Sequence, residues 1–191
     1  MTTPAEAAPR RAFLDWNLLY LFSFDVELDI TRQENLGRFP GGTRLNVFSR
    51  DDLSRVYNIG RESKLPGNGR PAIAGRIVSG GDRVLIRDDD VGECNVRFRL
   101  ETDDQAAIDV RVQIFGYLGP GGAGRIVLGK WKSRFGTENH PYEFPIVTSP
   151  RFQTTDRRYV WLNDLQGIGF GREVVIESKF RRNTQDIYVL T

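Results

Sequence analysis

Leu18-Leu19-Tyr20-Leu21-Phe22-Ser23-Phe24-Asp25-Val26-Glu27-Leu28-Asp29-Ile30 is the longest alternating stretch in the chain. Leu18, Tyr20, Phe22, Phe24, Val26, Leu28 and Ile30 are apolar at spacing two, with Ser23, Asp25, Glu27 and Asp29 between them. Successive side chains of a strand point to opposite faces, so this pattern reads as one strand with a buried face and a wet face. Asp25, Glu27 and Asp29 fall on the wet face. The same rhythm recurs twice. Cys94, Val96, Phe98 and Leu100 alternate with polar residues, as do Ile108, Val110, Val112 and Ile114. Thr102-Asp103-Asp104-Gln105 lies between these runs and makes them a hairpin.

Weaker strands are expected near 43–48, 72–78, 83–87, 124–131, 142–147, 165–170, 173–181 and 185–190. Pro40-Gly41-Gly42, Pro66-Gly67-Asn68-Gly69, Gly80-Gly81 and Gly119-Pro120-Gly121-Gly122 read as turns between them, because glycine supplies positive φ and proline fixes it. Asp88-Asp89-Asp90 reads as a hairpin tip; it lacks the spacing of a calcium loop. No apolar 3.6-residue period persists, so helix is confined to a turn or so near 50–57 or 157–163. Roughly ten strands without covering helices must pair as a sandwich or close as a barrel. Residues 1–11 read as a loose tail, 12–191 as one domain and 49–71 as a loop insertion within it.

Hydrophobic residues make up 39% of the 191-residue chain and charged residues 27%, which suits a globular domain rather than disorder. The net charge of +2, with acids and bases mixed along the same strands, argues against a nucleic-acid partner. One cysteine, Cys94, rules out an internal disulfide. With a single histidine, His140, it cannot build a structural zinc site or a multi-histidine metal centre, so neither metal nor cofactor is expected. His140 sits between Asn139 and Pro141 and reads as a solvated loop residue. No stretch approaches the roughly 20 apolar residues of a spanning helix, and no membrane partner is expected. Pro9-Arg10-Arg11-Ala12-Phe13-Leu14 has a twin-arginine flavour. Asp15 and Asn17 interrupt the apolar run after it, and the expectation is a cytoplasmic protein.

The second half carries a recognisable set of motifs: Ser149-Pro150-Arg151-Phe152-Gln153-Thr154, then Asp156-Arg157-Arg158-Tyr159-Val160-Trp161-Leu162-Asn163, and a terminal Asp186-Ile187-Tyr188-Val189. Earlier come Gly42-Thr43-Arg44, Gly80-Gly81-Asp82-Arg83 and Thr102-Asp103-Asp104-Gln105-Ala106. From about residue 18 to the end the chain resembles the family called domain of unknown function 3237 (DUF3237), also termed UPF0311. Gln105 stands where that family carries glycine, a tryptophan common after the Gly-Gly-x-Asp block is missing, and 49–71 is longer. The resemblance implies a barrel with an internal cavity and no settled activity. The expected fold class is therefore all-β: a single antiparallel β-barrel, lipocalin-like or allene-oxide-cyclase-like, with an internal pocket and little helix.

Three residues are candidates for chemistry. Asp82 and Asp104 read either as turn residues bonding nearby backbone N–H groups or as a proton-transferring carboxyl at the barrel mouth. Asp103 and Asp104 cannot both face one pocket on a regular strand, and which of Asp82, Asp103 and Asp104 does so stays open. Tyr159, Trp161 and Asn163 lie at spacing two, so an extended backbone would converge a hydroxyl, an indole N–H and a carboxamide on one face. As core residues they need no ligand, and Trp16 and Trp131 read as packing residues. Arg44 and Arg151 are the candidate anion holders, or else partners of Asp82, Asp104 or Glu143. The expectation is thus a cofactor-independent isomerase, cyclase or lyase with Asp82, Asp104 and Tyr159 catalytic and Arg44, Arg151, Trp161 and Asn163 binding the substrate. The alternatives are a non-catalytic carrier or sensor using the same pocket, and an assembly module pairing as a homodimer.

Overall fold

Strand β1 (Leu18–Phe39) grows from the alternating stretch and continues nine residues beyond it. In a computed structural model, which describes residues 18–49, 54–57, 71–122, 142–176 and 180–190, eight further strands follow. They are β2 (Gly42–Ser49), β3 (Arg55–Tyr57), β4 (Gly75–Arg87), β5 (Val91–Thr102), β6 (Ala107–Tyr117), β7 (Tyr142–Gln153), β8 (Gly167–Ile176) and β9 (Phe180–Leu190). Among the described residues the helical content is one short 3-10 turn at Val160–Asp164 apart from a single residue at Gly122. All pairings between these strands are antiparallel. Residues 1–11, Trp16, the strand expected at 124–131, Trp131, His140 and most of 49–71 lie outside the described residues. Among the described residues no helix is long and apolar enough to cross a membrane.

The sheet order is β2-β1-β3-β4-β5-β6-β7-β8-β9, with β2 also pairing β4 and β1 also pairing β9. Short β3 and longer β2 thus share one slot between β1 and β4: Val56 pairs with Phe24 and Gly75, Val47 with Asp82. The β1–β9 pairing, from Leu18↔Leu190 to Leu28↔Arg181, joins the two ends of the sheet. The pairings close into a ring of eight slots, and pairing on both sides satisfies the backbone groups that an open edge would leave bare.

The inner face is apolar. Phe22, Phe24, Phe98 and Phe152 meet edge-to-face with ring centroids 4.9–5.7 Å apart. Such pairs add about 0.5–1.5 kcal/mol each beyond the area they bury. The alternation of β1 holds inward from Phe22 to Leu28 but slips at Leu21, where the register with β9 shifts between Tyr20 and Phe22. One extra residue moves all preceding side chains to the opposite face. Leu18 is accordingly 47% exposed, and Tyr20 lies against the ring of Tyr188.

Two expectations about local structure change. Gly80-Gly81 makes no turn: it lies inside β4, which runs through both expected strands with a bulge between Ile77 and Ser79. A Cβ on Gly80 would sit 2.8 Å from the Phe98 Cβ, so glycine here admits close strand packing rather than a reversal. Of the two places where a helical turn was expected, 157–163 leads into the 3-10 turn at Val160–Asp164, whereas 55–57 form strand paired to β1 and β4. The Thr102–Gln105 hairpin and the Asp88–Asp90 tip stand where expected, and Gln105 occupies φ +68, a region that favours glycine.

Exchanging Gln105→Gly should therefore raise the free energy of unfolding by about 0.5–1 kcal/mol. Gly171→Ala should lower it by about 1–3 kcal/mol, because its Cβ would meet the Thr184 backbone oxygen at 2.0 Å. Urea unfolding of both variants reads the two signs, and equal shifts in one direction would contradict this account.

Candidate functional site

A cavity of about 40 Å³, taken as the room for the centre of a water-sized sphere, lies inside the ring. Phe24 and Phe98 contribute aromatic walls, and Val26, Val47, Val96, Val112 and Ile114 extend the apolar lining. Five polar side chains break it: Ser49, Asp82, Glu173, Asn183 and Gln185. Glu173 is 4%, Asn183 5% and Gln185 6% exposed, and Asp82 Oδ1 is buried.

Strand register explains how these groups reach the same space. Asp82 faces in between Val47 of β2 and Val96 of β5, its direct cross-strand neighbours. Asn183 pairs with Val26 on one side and Glu173 on the other, and Gln185 pairs with Phe24 and Gly171. The carboxamides are oriented by a chain of hydrogen bonds. Thr148 Oγ1 donates to Gln185 Oε1 at 2.7 Å, and Gln185 Nε2 donates to Asn183 Oδ1 at 2.5 Å. Glycine makes room for this chain, since a Cβ at Gly169 would lie 2.0 Å from Thr148 Oγ1 and 3.1 Å from Gln185 Oε1. Around the eight slots, β4 and β8 are four steps apart in either direction. Asp82 and Glu173 therefore stand on opposite walls.

A second polar cluster sits at the end of the ring marked by the β5–β6 turn. Asp104 accepts from Thr102 Oγ1 at 2.5 Å, from the Tyr159 hydroxyl at 3.0 Å and from Arg158 Nη1 at 2.8 Å. Arg158 also donates to both oxygens of Asp156, at 3.0 and 2.7 Å. The Thr102 hydroxyl, together with Tyr159 and Arg158, holds the Asp104 carboxyl below its ordinary value. Arg158 brings Asp156 down to about 2. Burial, with the bond to Asp104, pushes the Tyr159 hydroxyl up to about 12. These shifts lock charges in place and move the groups away from neutrality, the reverse of what a proton-transfer group requires. The cluster ties the 154–166 segment to the hairpin, with Tyr159 and Leu162 packed into the core.

Of the seven residues singled out in the sequence, Asp82 alone lines the cavity. Asp104 and Tyr159 do come together, but in the end cluster. Arg44 is exposed on β2 between inward Thr43 and Leu45, with its guanidinium 4.5 Å over the Phe39 ring. Arg151 is exposed between inward Pro150 and Phe152 and donates to Gln166 Oε1 at 2.6 Å. Strand parity turns both arginines away from the cavity, so neither holds an anion there. Tyr159, Trp161 and Asn163 do not share a face, because the 3-10 turn rotates each residue by about 120°. Trp161 Nε1 donates to the Arg158 carbonyl, and Asn163 Nδ2 to that of Thr154. Both brace the segment.

Glu173, Asn183 and Gln185 escaped sequence reading. Their signal is a phase: Asn183 and Gln185 continue the inward spacing of Ile187 and Val189, and Glu173 continues that of Gly169 and Gly171. Among the described residues no three His, Cys, Asp or Glu side chains group closely enough to hold a metal ion.

The end cluster carries a pH signature. With Asp156 at about 2 when folded and about 3.9 when unfolded, its contribution is complete above pH ~4 and disappears as pH falls through ~2. Melting temperature should fall across that acid window, and Asp156→Asn should flatten the fall while lowering the neutral-pH value. An unchanged acid slope in the variant would assign the transition to other carboxyls.

No curated protein matches this sequence. Among solved structures, a conserved protein of unknown function from Rhodopseudomonas palustris is 19% identical, with a TM-score of 0.66 over 92% of this chain and 98% of that one. A β-barrel-like protein from Acinetobacter baumannii is 21% identical, with a TM-score of 0.61 over 92% and 96%. A protein described as an enzyme, from Penicillium herquei, is 14% identical, with a TM-score of 0.52 over 90% and 94%. At these identities the likeness is one of fold. The family model described as "Protein of unknown function (DUF3237)" matches residues 19–189, and the chain belongs to that family.

Proposed function

We propose that the closed ring is a β-barrel whose lumen is a reaction chamber. In it a cofactor-independent enzyme moves a proton on a small organic substrate, aromatic or carbonyl-bearing, in an isomerisation, cyclisation or elimination. The observation that carries this reading is the placement of Asp82 and Glu173 on opposite walls of a mainly apolar cavity. Two acidic groups whose surroundings differ can serve as base and acid in one turnover. Asp82 lies among valines, and Glu173 pairs with Asn183 and Phe144. Phe24 and Phe98 would hold a flat substrate, and Asn183 would steady an oxygen on it. The likeness in fold to the Penicillium herquei protein is compatible with catalysis and specifies no reaction.

The test is to incubate the protein with a small-molecule extract in deuterated water and compare mass spectra before and after. Proton transfer at carbon predicts a product carrying deuterium. Asp82→Asn or Glu173→Gln should reduce its formation at least about a hundredfold. Arg44→Gln and Arg151→Gln should leave it within about twofold. A metabolite that binds and is recovered unaltered and unlabelled would favour the carrier reading instead.

A further inference from the structure

The outer face of β5, β6 and β7 carries a row of like charges. Arg97 pairs with Arg111, and Arg111 with Arg151, so three guanidinium side chains stand on neighbouring rungs of one ladder. All three are exposed. Neighbouring strands lie about 4.8 Å apart, which puts the outer two Cα atoms about 10 Å from each other. Arg83, also exposed, flanks the row from β4, where it pairs with Asn95. Like charges directly opposite each other destabilise a sheet, so the row stands against its own repulsion.

Elsewhere on the wall arginine meets carboxylate. Arg76 bonds Glu101, Arg87 bonds Asp89 and Glu93, Arg99 bonds Asp109, and Arg172 bonds Glu143. Among the described residues Arg97, Arg111 and Arg151 form no such pair. Asp109, next but one along β6, feels Arg111 at a distance but gives both its oxygens to Arg99. Arg151 donates through Nε to the neutral Gln166 Oε1, which steadies its guanidinium and leaves both Nη groups as donors. The adjoining rungs, Asn95, Gln113 and Ser149, are uncharged hydrogen-bonding groups.

Charge density sets what fits. A phosphate group carries up to two negative charges and three acceptor oxygens, and a guanidinium fork matches those oxygens in pairs. Two or three linked phosphates therefore concentrate enough charge for a row about 10 Å long, whereas carboxylates on one face of an extended peptide stand about 6.8 Å apart. A polymer would outrun the row, which meets Gly81 at one end and Gln166 at the other. The row and its adjoining rungs hold no aromatic side chain on which a nucleic-acid base could stack.

We infer that this outer row is a binding site for the di- or triphosphate group of a small soluble ligand. Arg97 and Arg111 engage the phosphates with their forks, and Arg151 with its Nη atoms. Strand parity keeps the site apart from the cavity: Val96, Phe98 and Val112, chain neighbours of these arginines, face the other way and line it.

The test is titration calorimetry of the full chain with inorganic triphosphate at low salt, where exposed charges are least screened. One saturable site is expected, with orthophosphate binding at least about tenfold more weakly. Arg97→Gln and Arg111→Gln should each weaken triphosphate binding at least about fivefold. Arg38→Gln removes the same charge from an arginine on β1 bonded to Asp88, and should stay within about twofold. Circular dichroism melts check that the variants fold, and the ranking of the two anions on the unsubstituted protein decides the matter where one does not. Absence of binding, or equal affinity for the two anions, would overturn the site. Triphosphate binding unmoved by Arg97→Gln and Arg111→Gln, or weakened as much by Arg38→Gln, would do the same. Tighter binding at the same salt to a single-stranded oligonucleotide or to phosphatidylserine vesicles would overturn the small-ligand class.

Discussion

The backbone pairing of Leu18–Leu28 with Arg181–Leu190 is the contact on which the rest depends. It joins residues more than 150 positions apart and turns a nine-stranded sheet into a ring. Without it both terminal strands would present bare edges, and the inner apolar face would open to water on one side. Every statement about an inside follows from it, including the burial of Phe22, Phe24, Ile187 and Val189 to 1% or less. The cavity is a consequence of the same closure, because the Phe24 wall belongs to β1 and the Asn183 and Gln185 wall to β9.

Within the ring, polar groups are segregated by position along the strands. At the turn end, Thr102, Asp104, Arg158, Asp156 and Tyr159 bond one another closely and fix the only extended irregular segment described between β7 and β8. Further along, the acids and amides face a space lined mainly by valine, isoleucine and phenylalanine. One cluster is saturated by its own partners and braces the scaffold. The other is set among apolar walls where a polar group has the most influence on whatever enters.

Much of this architecture is legible in the sequence because a two-residue period is a direct imprint of a half-buried strand. The runs beginning at Cys94 and Ile108 became β5 and β6 with their inward residues as read, and the run beginning at Leu18 became β1 with the reading holding only from Phe22 to Leu28. Glycine was the less faithful guide. At Gly80-Gly81 it answers to crowding by Phe98 and Ser49 rather than to a chain reversal, and sequence alone does not separate those causes. The site was legible only at Asp82. Arg44 and Arg151 looked like ligand holders by chemistry, yet parity, visible in their apolar neighbours, already assigned them outward. Tyr159, Trp161 and Asn163 misled because a spacing of two means a shared face only in an extended chain. Glu173 was hidden because Gly169 and Gly171 replace the apolar residues that would have marked the phase in β8, and Asn183 and Gln185 because the inward positions at the start of β9 are themselves polar.

The count of strands around the ring has a stereochemical consequence. Walls four slots apart address opposite faces of a planar molecule that lies across the line joining them. If Asp82 removes a proton from one face of such a molecule, Glu173 approaches from the other. The ring geometry then favours antarafacial over suprafacial transfer across such a molecule.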